Sequence, residues 1–199
     1  MSAKSDETRR AILDAAREVF ADEGFEQASM RKVAQRAGIT HGTIYLHFRD
    51  KDDLFYQVSE EQFRVLLDRL RGLPRTLDPL SRTVNALRTV IDYGLDFPNH
   101  YALLYAMPAA WRSGRVTRRF GPMADEVYAY LSDAIVRSSE KGLLRVTDPE
   151  IDTFMLLSAI HGVVEFHRAG IATREESHIC AERMLQVLID GLSKAAADA

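Results

Sequence analysis

A segment near the amino terminus, Ser29 to Lys51, concentrates side chains that can donate hydrogen bonds to an anion. It holds five basic residues and one acidic residue, whereas the sequences before and after it are both net negative. Positive charge gathered on one short segment is typical of a protein that meets phosphate groups through a small face. A solvated basic helix would share this composition, and the net charge of the whole chain is only −3. Charge alone therefore does not distinguish a phosphate-binding face from a solvated basic helix, and the order of residues in the segment has to be considered.

That pattern predicts two short helices joined by a tight turn, the shape that places a helix in the DNA major groove. Ser29 and Thr40 are suited to cap the two helices, because a hydroxyl accepts a hydrogen bond from a free backbone N–H. Gly38 supplies the left-handed conformation that ends the first helix. Ile44 and Phe48 are four residues apart and should face inward. The outward residues of the second helix are small, polar or aromatic, which suits base edges and phosphates: His41, Gly42, Thr43 and Tyr45.

This motif, at about residues 29–48, closely resembles the helix-turn-helix of the TetR family of bacterial transcriptional regulators. The resemblance extends over about residues 8 to 56 and includes the upstream sequence that begins at Ile12. Its most specific elements are Val33-Ala34, Ala37-Gly38-Ile39, Gly42-Thr43-Ile44-Tyr45, His47-Phe48 and Lys51-Asp52-Asp53-Leu54. One departure is His41, a position that is often Lys or Arg in the family.

The resemblance implies a homodimer that binds a pseudo-palindromic operator in double-stranded DNA and responds to a small-molecule effector. It also implies which residues contact the DNA. Phosphate contacts are expected from Ser29, Thr40, Tyr45 and Lys51. Base contacts are expected from Arg31, His41, Gly42 and Thr43. Phosphate contacts fix the register of a protein on DNA, and base contacts discriminate sequence.

The whole chain is predicted to be all-α, with about nine helices and no strand, because apolar residues recur at spacings of three and four throughout. The predicted domains are 1–55, which binds DNA, and 56–199, which binds the effector and dimerises. A continuous helix from Lys51 to about Arg71 should join them, with no Gly- or Ser-rich linker to absorb movement. Other expected helices cover about residues 6–22, 80–95, 98–108, 123–141, 149–169 and 173–196.

Aromatic and methionine side chains of the second domain predict a ligand pocket, in keeping with the pocket that the resemblance implies. Each of them could be ordinary core, but a set of aromatic residues with polar tips is typical of small-molecule sites. The predicted lining is Phe63, Leu67, Leu70, Tyr93, Phe97, His100, Tyr101, Tyr105, Trp111, Met123 and Met155. The expected effector is mainly hydrophobic, with one or two polar groups.

The last two predicted helices are apolar on more than one side and so need two burial partners. A second subunit is the simplest second partner, although burial within a single bundle is the alternative. The predicted seam is Phe154, Leu157, His161, Val164, Leu185, Leu188 and Leu192.

Catalytic and metal-binding motifs are missing from the sequence, which has no HxxxH, GxSxG, GxGxxG or P-loop pattern. No cofactor, metal or enzymatic activity is therefore expected.

The single cysteine, Cys180, fits a reducing cytosol and should be buried in its helix. The first residues lack the apolar core of a secretory signal, and no apolar run could span a bilayer. These features predict a cytoplasmic protein without a membrane partner.

The preferred interpretation is a DNA-binding transcriptional repressor that a small, largely hydrophobic ligand releases from its operator. One alternative is a helical small-molecule-binding or enzymatic bundle in which the N-terminal motif is only structural. A second alternative is a constitutive DNA binder without an effector.

Overall fold

The computed structural model of the chain describes residues 3–105 and 121–193. Within those ranges the protein forms nine helices and no strand, apart from one isolated bridge between Leu144 and Ser193. The helices are α1 (Ala3–Gln27), α2 (Met30–Arg36), α3 (His41–Ile44), α4 (Lys51–Arg71), α5 (Pro79–Asp96), α6 (Pro98–Tyr105), α7 (Pro122–Glu140), α8 (Pro149–Arg168) and α9 (Arg174–Leu192). The predicted all-α fold is confirmed.

Two helix ends differ from the expectation. Helix α1 was expected to end near residue 22 but reaches Gln27. Gly24, with a φ of 76°, kinks it, and the bond from Ala28 N to Gly24 O re-forms helical pairing after the kink. Helix α3 is only four residues long, because the chain after it forms hydrogen bonds of the 3₁₀ type, between residues three apart, such as the bond from Leu46 N to Thr43 O. The last helix was expected to reach Ala196, but residues after 193 lie outside the described part of the chain.

The chain divides into two compact units, and helix α4 contributes residues to both. The first unit comprises Met1–Phe63 and Asn99–Pro122, and the second comprises Arg64–Pro98 and Met123–Ala199. The proposed domain boundary after residue 55 remains a prediction.

The first unit is built on a core of apolar side chains from α1, α2, α3 and the start of α4. The rings of Phe20, Phe25 and Phe55 meet at its centre, with centroids 5.0 to 6.1 Å apart. Helix α6 also belongs to this unit. Leu103 is buried in the same core, and Ser59 Oγ of α4 donates a hydrogen bond of 3.1 Å to Leu103 O. The motif helices and α6 therefore share one hydrophobic core.

The second unit contains α5, α7, α8 and α9, and α9 packs against both α5 and α8. Two ion pairs join α5 and α9: Arg88 with Glu182 at 2.7 Å in the middle of both helices, and Arg174 with Asp96 at 2.5 Å where α9 begins and α5 ends. Helix α9 begins with the expected capping box, in which Thr173 and Glu176 bond reciprocally.

His100 of α6 is half-buried in the first unit. Burial lowers the pKa of its imidazole below the ordinary 6.5, and the charge of Arg17 lowers it further, whereas Asp22 acts in the opposite direction. Folded His100 therefore binds a proton less readily than the unfolded chain does, so protonation favours unfolding.

We expect the free energy of unfolding to fall as the pH drops from the ordinary value of 6.5 towards the lower pKa of folded His100. His100→Gln removes this contribution, so the variant should lose less stability than the wild type between about pH 7 and pH 5. Urea unfolding at several pH values measures the difference. Parallel stability curves for the two proteins would contradict this account of His100.

Candidate nucleic-acid interface

The two motif helices begin at the predicted caps. Ser29 Oγ accepts a hydrogen bond of 3.3 Å from Lys32 N, and Thr40 Oγ1 accepts one of 3.2 Å from Thr43 N. Gly38, between the helices, has a φ of 69°, a conformation that costs glycine little. Local chemistry therefore fixes both helix starts and the turn that separates them.

Burial orients α3. Ile44 and Phe48 are buried in the core of the first unit, as predicted. His41, Gly42 and Tyr45 are consequently exposed, and Thr43 is half-buried. The His41 and Tyr45 rings meet edge to face, with centroids 5.2 Å apart. The residues expected to approach DNA thus lie on the side of α3 that the core leaves in solvent.

Helix α2 presents three basic residues that differ in their surroundings. Lys32 Nζ lies 2.6 Å from a carboxylate oxygen of Glu23, and Arg36 lies 2.5 Å from one of Glu18. Arg31 is exposed and forms no ion pair with any described residue. Acidic residues of α1 therefore offset part of the positive charge of α2, and Arg31 keeps its guanidinium available to an anion.

Gly42 has no role in the fold that the structure reveals. A Cβ at this position would meet no atom within 4 Å, and the backbone does not adopt a positive φ. Neither packing nor conformation requires glycine here. The missing side chain instead lets another molecule approach the backbone of α3 closely.

Lys51, which was expected to hold a phosphate, is bonded to the end of α1. Its Nζ donates to the carbonyl oxygens of Phe25 at 2.8 Å, Ala28 at 3.2 Å and Glu26 at 3.4 Å. It also lies 4.3 Å from the centre of the Phe25 ring. An ammonium has three N–H donors, so a phosphate contact would displace one of these bonds. In this state the Lys51 ammonium donates hydrogen bonds to free carbonyl groups at the end of α1. Its positive charge also stabilises the negative C-terminal end of the helix dipole.

The start of α4 carries reciprocal caps. Asp50 accepts a hydrogen bond of 2.8 Å from Asp53 N, and Asp53 accepts one of 3.0 Å from Arg49 N. Burial raises the pKa of Asp52, and the negative charge of Asp50 raises it further, whereas Lys51 lowers it. These bonds fix where the motif ends and α4 begins.

The predicted pocket residues are divided between the two units. In the first unit Phe63 is buried, His100 is half-buried, and the rings of Tyr101 and Tyr105 are 5.0 Å apart. Burial raises the pKa of the Tyr105 hydroxyl, although a hydrogen bond with Tyr101 lowers it. Tyr101 and Tyr105 thus form an aromatic pair on α6, whereas Phe63 lies on α4.

In the second unit Leu67, Leu70 and Tyr93 are buried and Met123 is half-buried. The guanidinium of Arg69 lies 5.2 Å from the ring centre of Tyr93 and 5.1 Å from that of the exposed Phe97. The sequence reading had missed Arg69, because its proximity to these rings depends on how α4 packs on α5.

Two further members of the predicted pocket need comment. Trp111 lies outside the described residues. Met155 is partly exposed on α8, and its assignment to the pocket stays a prediction. It lies on the same exposed side of α8 as Phe154 and Ile151.

The predicted dimer residues occupy three environments. Phe154 is 67% exposed, and four others are half-buried: Leu157, His161, Leu188 and Leu192. Val164 and Leu185 are buried in the core of the second unit, so they cannot touch a partner as expected. Ile151, Ile179 and Val187 are exposed apolar residues that the prediction omitted. Cys180 is also exposed rather than buried, because α9 turns it towards solvent.

The described part of the chain offers neither a metal site nor a membrane-spanning helix. Within residues 3–105 and 121–193, no group of three or more His, Cys, Asp or Glu side chains could hold a metal ion. Over the same ranges no helix combines the length and the apolar character needed to cross a bilayer.

The bonds of Lys51 generate a test of stability. Lys51→Met keeps the apolar part of the side chain but removes the ammonium that bonds the carbonyls of α1. We expect the free energy of unfolding to fall by about 1–2 kcal/mol. Arg49→Met is the control, because the Arg49 side chain is 84% exposed and its loss should change stability by less than about 0.5 kcal/mol. Equal stability of the two variants in urea titrations would contradict the assignment.

The chain matches known proteins over both units. Residues 12–58 match the model for bacterial regulatory proteins of the tetR family, and residues 84–191 match the model for the tetracyclin repressor-like C-terminal domain. An HTH-type transcriptional regulator of Staphylococcus aureus is 33% identical over 104 residues, which are 52% of this chain and 55% of that protein. An HTH-type transcriptional repressor of Mycobacterium tuberculosis is 47% identical over 53 residues, 27% of this chain and 28% of that protein.

The chain spans about half the length, or less, of these relatives. A solved structure, the transcriptional regulator FadR from Bacillus subtilis in complex with stearoyl-CoA, has the same fold. Its TM-score is 0.74 at 19% identity, and the alignment covers 92% of this chain and 98% of that one. Together, the two family models and the helix-turn-helix geometry show that the chain belongs to the TetR family of bacterial regulatory proteins.

Proposed function

We propose that this chain is a cytoplasmic DNA-binding repressor, without enzymatic activity, that releases its operator when a small hydrophobic ligand binds. The observation that carries the proposal is the exposed face of α3, where Gly42 leaves open space that the fold does not need. A major groove admits a helix, but only if that helix presents small or hydrogen-bonding groups to the base edges.

Roles in DNA recognition follow from exposure and chemistry. Ser29, Thr40 and Tyr45 carry hydroxyls at or near the helix starts and are proposed to bind phosphates. Arg31, His41, Gly42 and Thr43 are proposed to approach base edges. Lys51 is proposed to position α1 and α4 rather than to hold a phosphate, because its ammonium already has three acceptors.

A homodimer is proposed because one helix-turn-helix reads only a few base pairs. Two copies related by a twofold axis would read two half-sites about one helical turn apart. The exposed apolar residues of α8 and α9, including Phe154 and Val187, supply a surface for a second copy.

Ligand control is supported by the aromatic residues of both units and by the relatives. The similar protein of M. tuberculosis is a repressor, and the B. subtilis structure holds stearoyl-CoA. We propose a mainly hydrophobic effector for this chain, with one or two polar groups that would meet tyrosine hydroxyls. A constitutive DNA binder is the rival, and it differs in that no ligand would release its DNA.

The DNA interface is tested with Gly42→Ala and Arg31→Ala. Gly42→Ala should leave the free energy of unfolding unchanged or raise it by up to about 1 kcal/mol, because alanine favours a helix. It should nevertheless weaken operator binding about tenfold or more, since the new methyl group meets the DNA. Arg31→Ala should weaken operator binding by about 1–3 kcal/mol and reduce the preference for one base at one position of each half-site. Mobility shifts on an operator selected from random DNA measure both effects.

Arg75→Ala is the matched control, because it removes the same charge from an exposed turn in the second unit. It should leave sequence preference unchanged. If Gly42→Ala and Arg31→Ala bound every duplex as the wild type does, the motif would be only structural, and the helical ligand-binding bundle would be the better reading.

Assembly is tested with Phe154→Glu, which places a charge among the exposed apolar residues of α8. The wild type should sediment as a dimer at micromolar concentration, whereas the variant should dissociate, because burying an unpaired carboxylate is unfavourable. Val65→Glu is the control, since Val65 is also exposed and apolar but lies on α4. A wild-type monomer, or dissociation by both variants alike, would contradict the proposed seam.

A further inference from the structure

Leu46 is the most exposed large apolar side chain among the described residues, at 83%. It lies directly after α3, and its backbone is fixed by bonds from Leu46 N to Thr43 O at 3.1 Å and from Phe48 N to Ile44 O at 3.0 Å. A leucine left in water contributes nothing to the core of the first unit. Its methyl groups are therefore available to another molecule at the end of α3.

The position of Leu46 relates it to the face of α3. Gly42 and Leu46 are both exposed, and the chain turns between them through the bond from Leu46 N to Thr43 O. Ile44 and Phe48 are buried. A molecule that enters the space left open by Gly42 would meet the methyl groups of Leu46 further along the chain.

The major groove offers few partners for such a side chain. Base edges there carry hydrogen-bond donors and acceptors, except for the 5-methyl group of thymine. Leucine has no donor or acceptor, so it cannot read a guanine, adenine or cytosine edge by hydrogen bonding. An apolar contact with the thymine methyl is the one form of base readout that fits its chemistry.

We propose that Leu46 is a specificity-determining residue, which selects thymine at one position of each half-site by contact with the 5-methyl group. This inference rests on the proposed function, because it needs α3 in the major groove. It adds an apolar contact to the hydrogen-bonding residues of the motif. Packing of Leu46 against the sugar-phosphate backbone is the competing arrangement, and it would carry no sequence preference.

The test removes the thymine 5-methyl group from the DNA and the end of the Leu46 side chain from the protein. The wild type first selects an operator from random duplex DNA, and each thymine of its half-sites is then replaced by deoxyuridine, which lacks only the methyl group. Dissociation constants are measured for the wild type and for Leu46→Ala. Leu143→Ala is the control, because Leu143 is an exposed leucine of the second unit. Thermal unfolding of Leu46→Ala should match that of the wild type, since the side chain is not packed.

For the wild type and for Leu143→Ala, loss of the methyl at one position should weaken binding about fourfold per half-site, or about fifteenfold when both half-sites are changed. Leu46→Ala should bind the unmodified operator more weakly by a similar factor and be indifferent to deoxyuridine at that position only. It should stay as sensitive as the wild type to changes at the position read by Arg31.

Three results would overturn the inference. Identical deoxyuridine profiles for the wild type and Leu46→Ala would show that the side chain does not contact a thymine methyl. Weaker binding of Leu46→Ala to all sequences alike would assign Leu46 to the DNA backbone. A selected half-site without thymine would exclude the contact directly. Failure of the wild type to select any sequence is a different result, because it refutes the proposed function itself.

Discussion

The burial of Ile44 and Phe48 is the constraint on which the interface depends. A four-residue helix cannot be stable alone, because the first helical turn costs more conformational entropy than its bonds return. Helix α3 persists because these two side chains are buried in the core formed by α1, α2 and α4. The same burial decides which residues remain outside. The chemistry presented to a partner is thus a consequence of two apolar anchors.

Ion pairs and hydrogen bonds within the first unit reduce the positive charge that this interface presents. The acidic residues of α1 pair with Lys32 and Arg36, Arg49 lies 3.6 Å from Asp53, and Lys51 is bonded to carbonyl groups. Four of the five basic residues of the motif are therefore already partly offset, and Arg31 is the exception. Exposed ion pairs are weak and screened by salt, so Lys32 and Arg36 can exchange a carboxylate for a phosphate at little cost. Lys51 is different, because three backbone carbonyls would lose their donor. Charge counted along the sequence therefore overstates what is available to DNA.

Local features of the motif were predictable from sequence, and features that depend on packing between helices were not. Caps such as Ser29 and Thr40, and the positive φ of Gly38, follow from the residue itself and its neighbours within four positions. The role of Lys51 depends on the end of α1, more than twenty residues away. Periodicity marked α8 and α9 as apolar on several sides, but it could not assign Val164 to the core and Phe154 to the surface. That assignment depends on which face meets α5.

The proposed ligand control sets a demand that can be stated as an area of buried apolar surface. To shift a population from 1:99 to 99:1, a ligand must prefer one state by about 5.5 kcal/mol. At about 25 cal/mol per Å², this preference corresponds to about 220 Å² of additional apolar burial. This area is comparable to that of one buried aromatic side chain, so the two states need to differ only by burial of that size.

Helix α4 begins directly after the motif and runs without an interruption from Lys51 to Arg71. It contains neither glycine nor proline from Lys51 to Arg71, so it has no residue at which a kink would readily absorb a displacement. Its first residues are held by the Asp50 and Asp53 caps and by the bonds of Lys51 to α1. The part of α4 that belongs to the first unit is therefore fixed to the core that anchors α3.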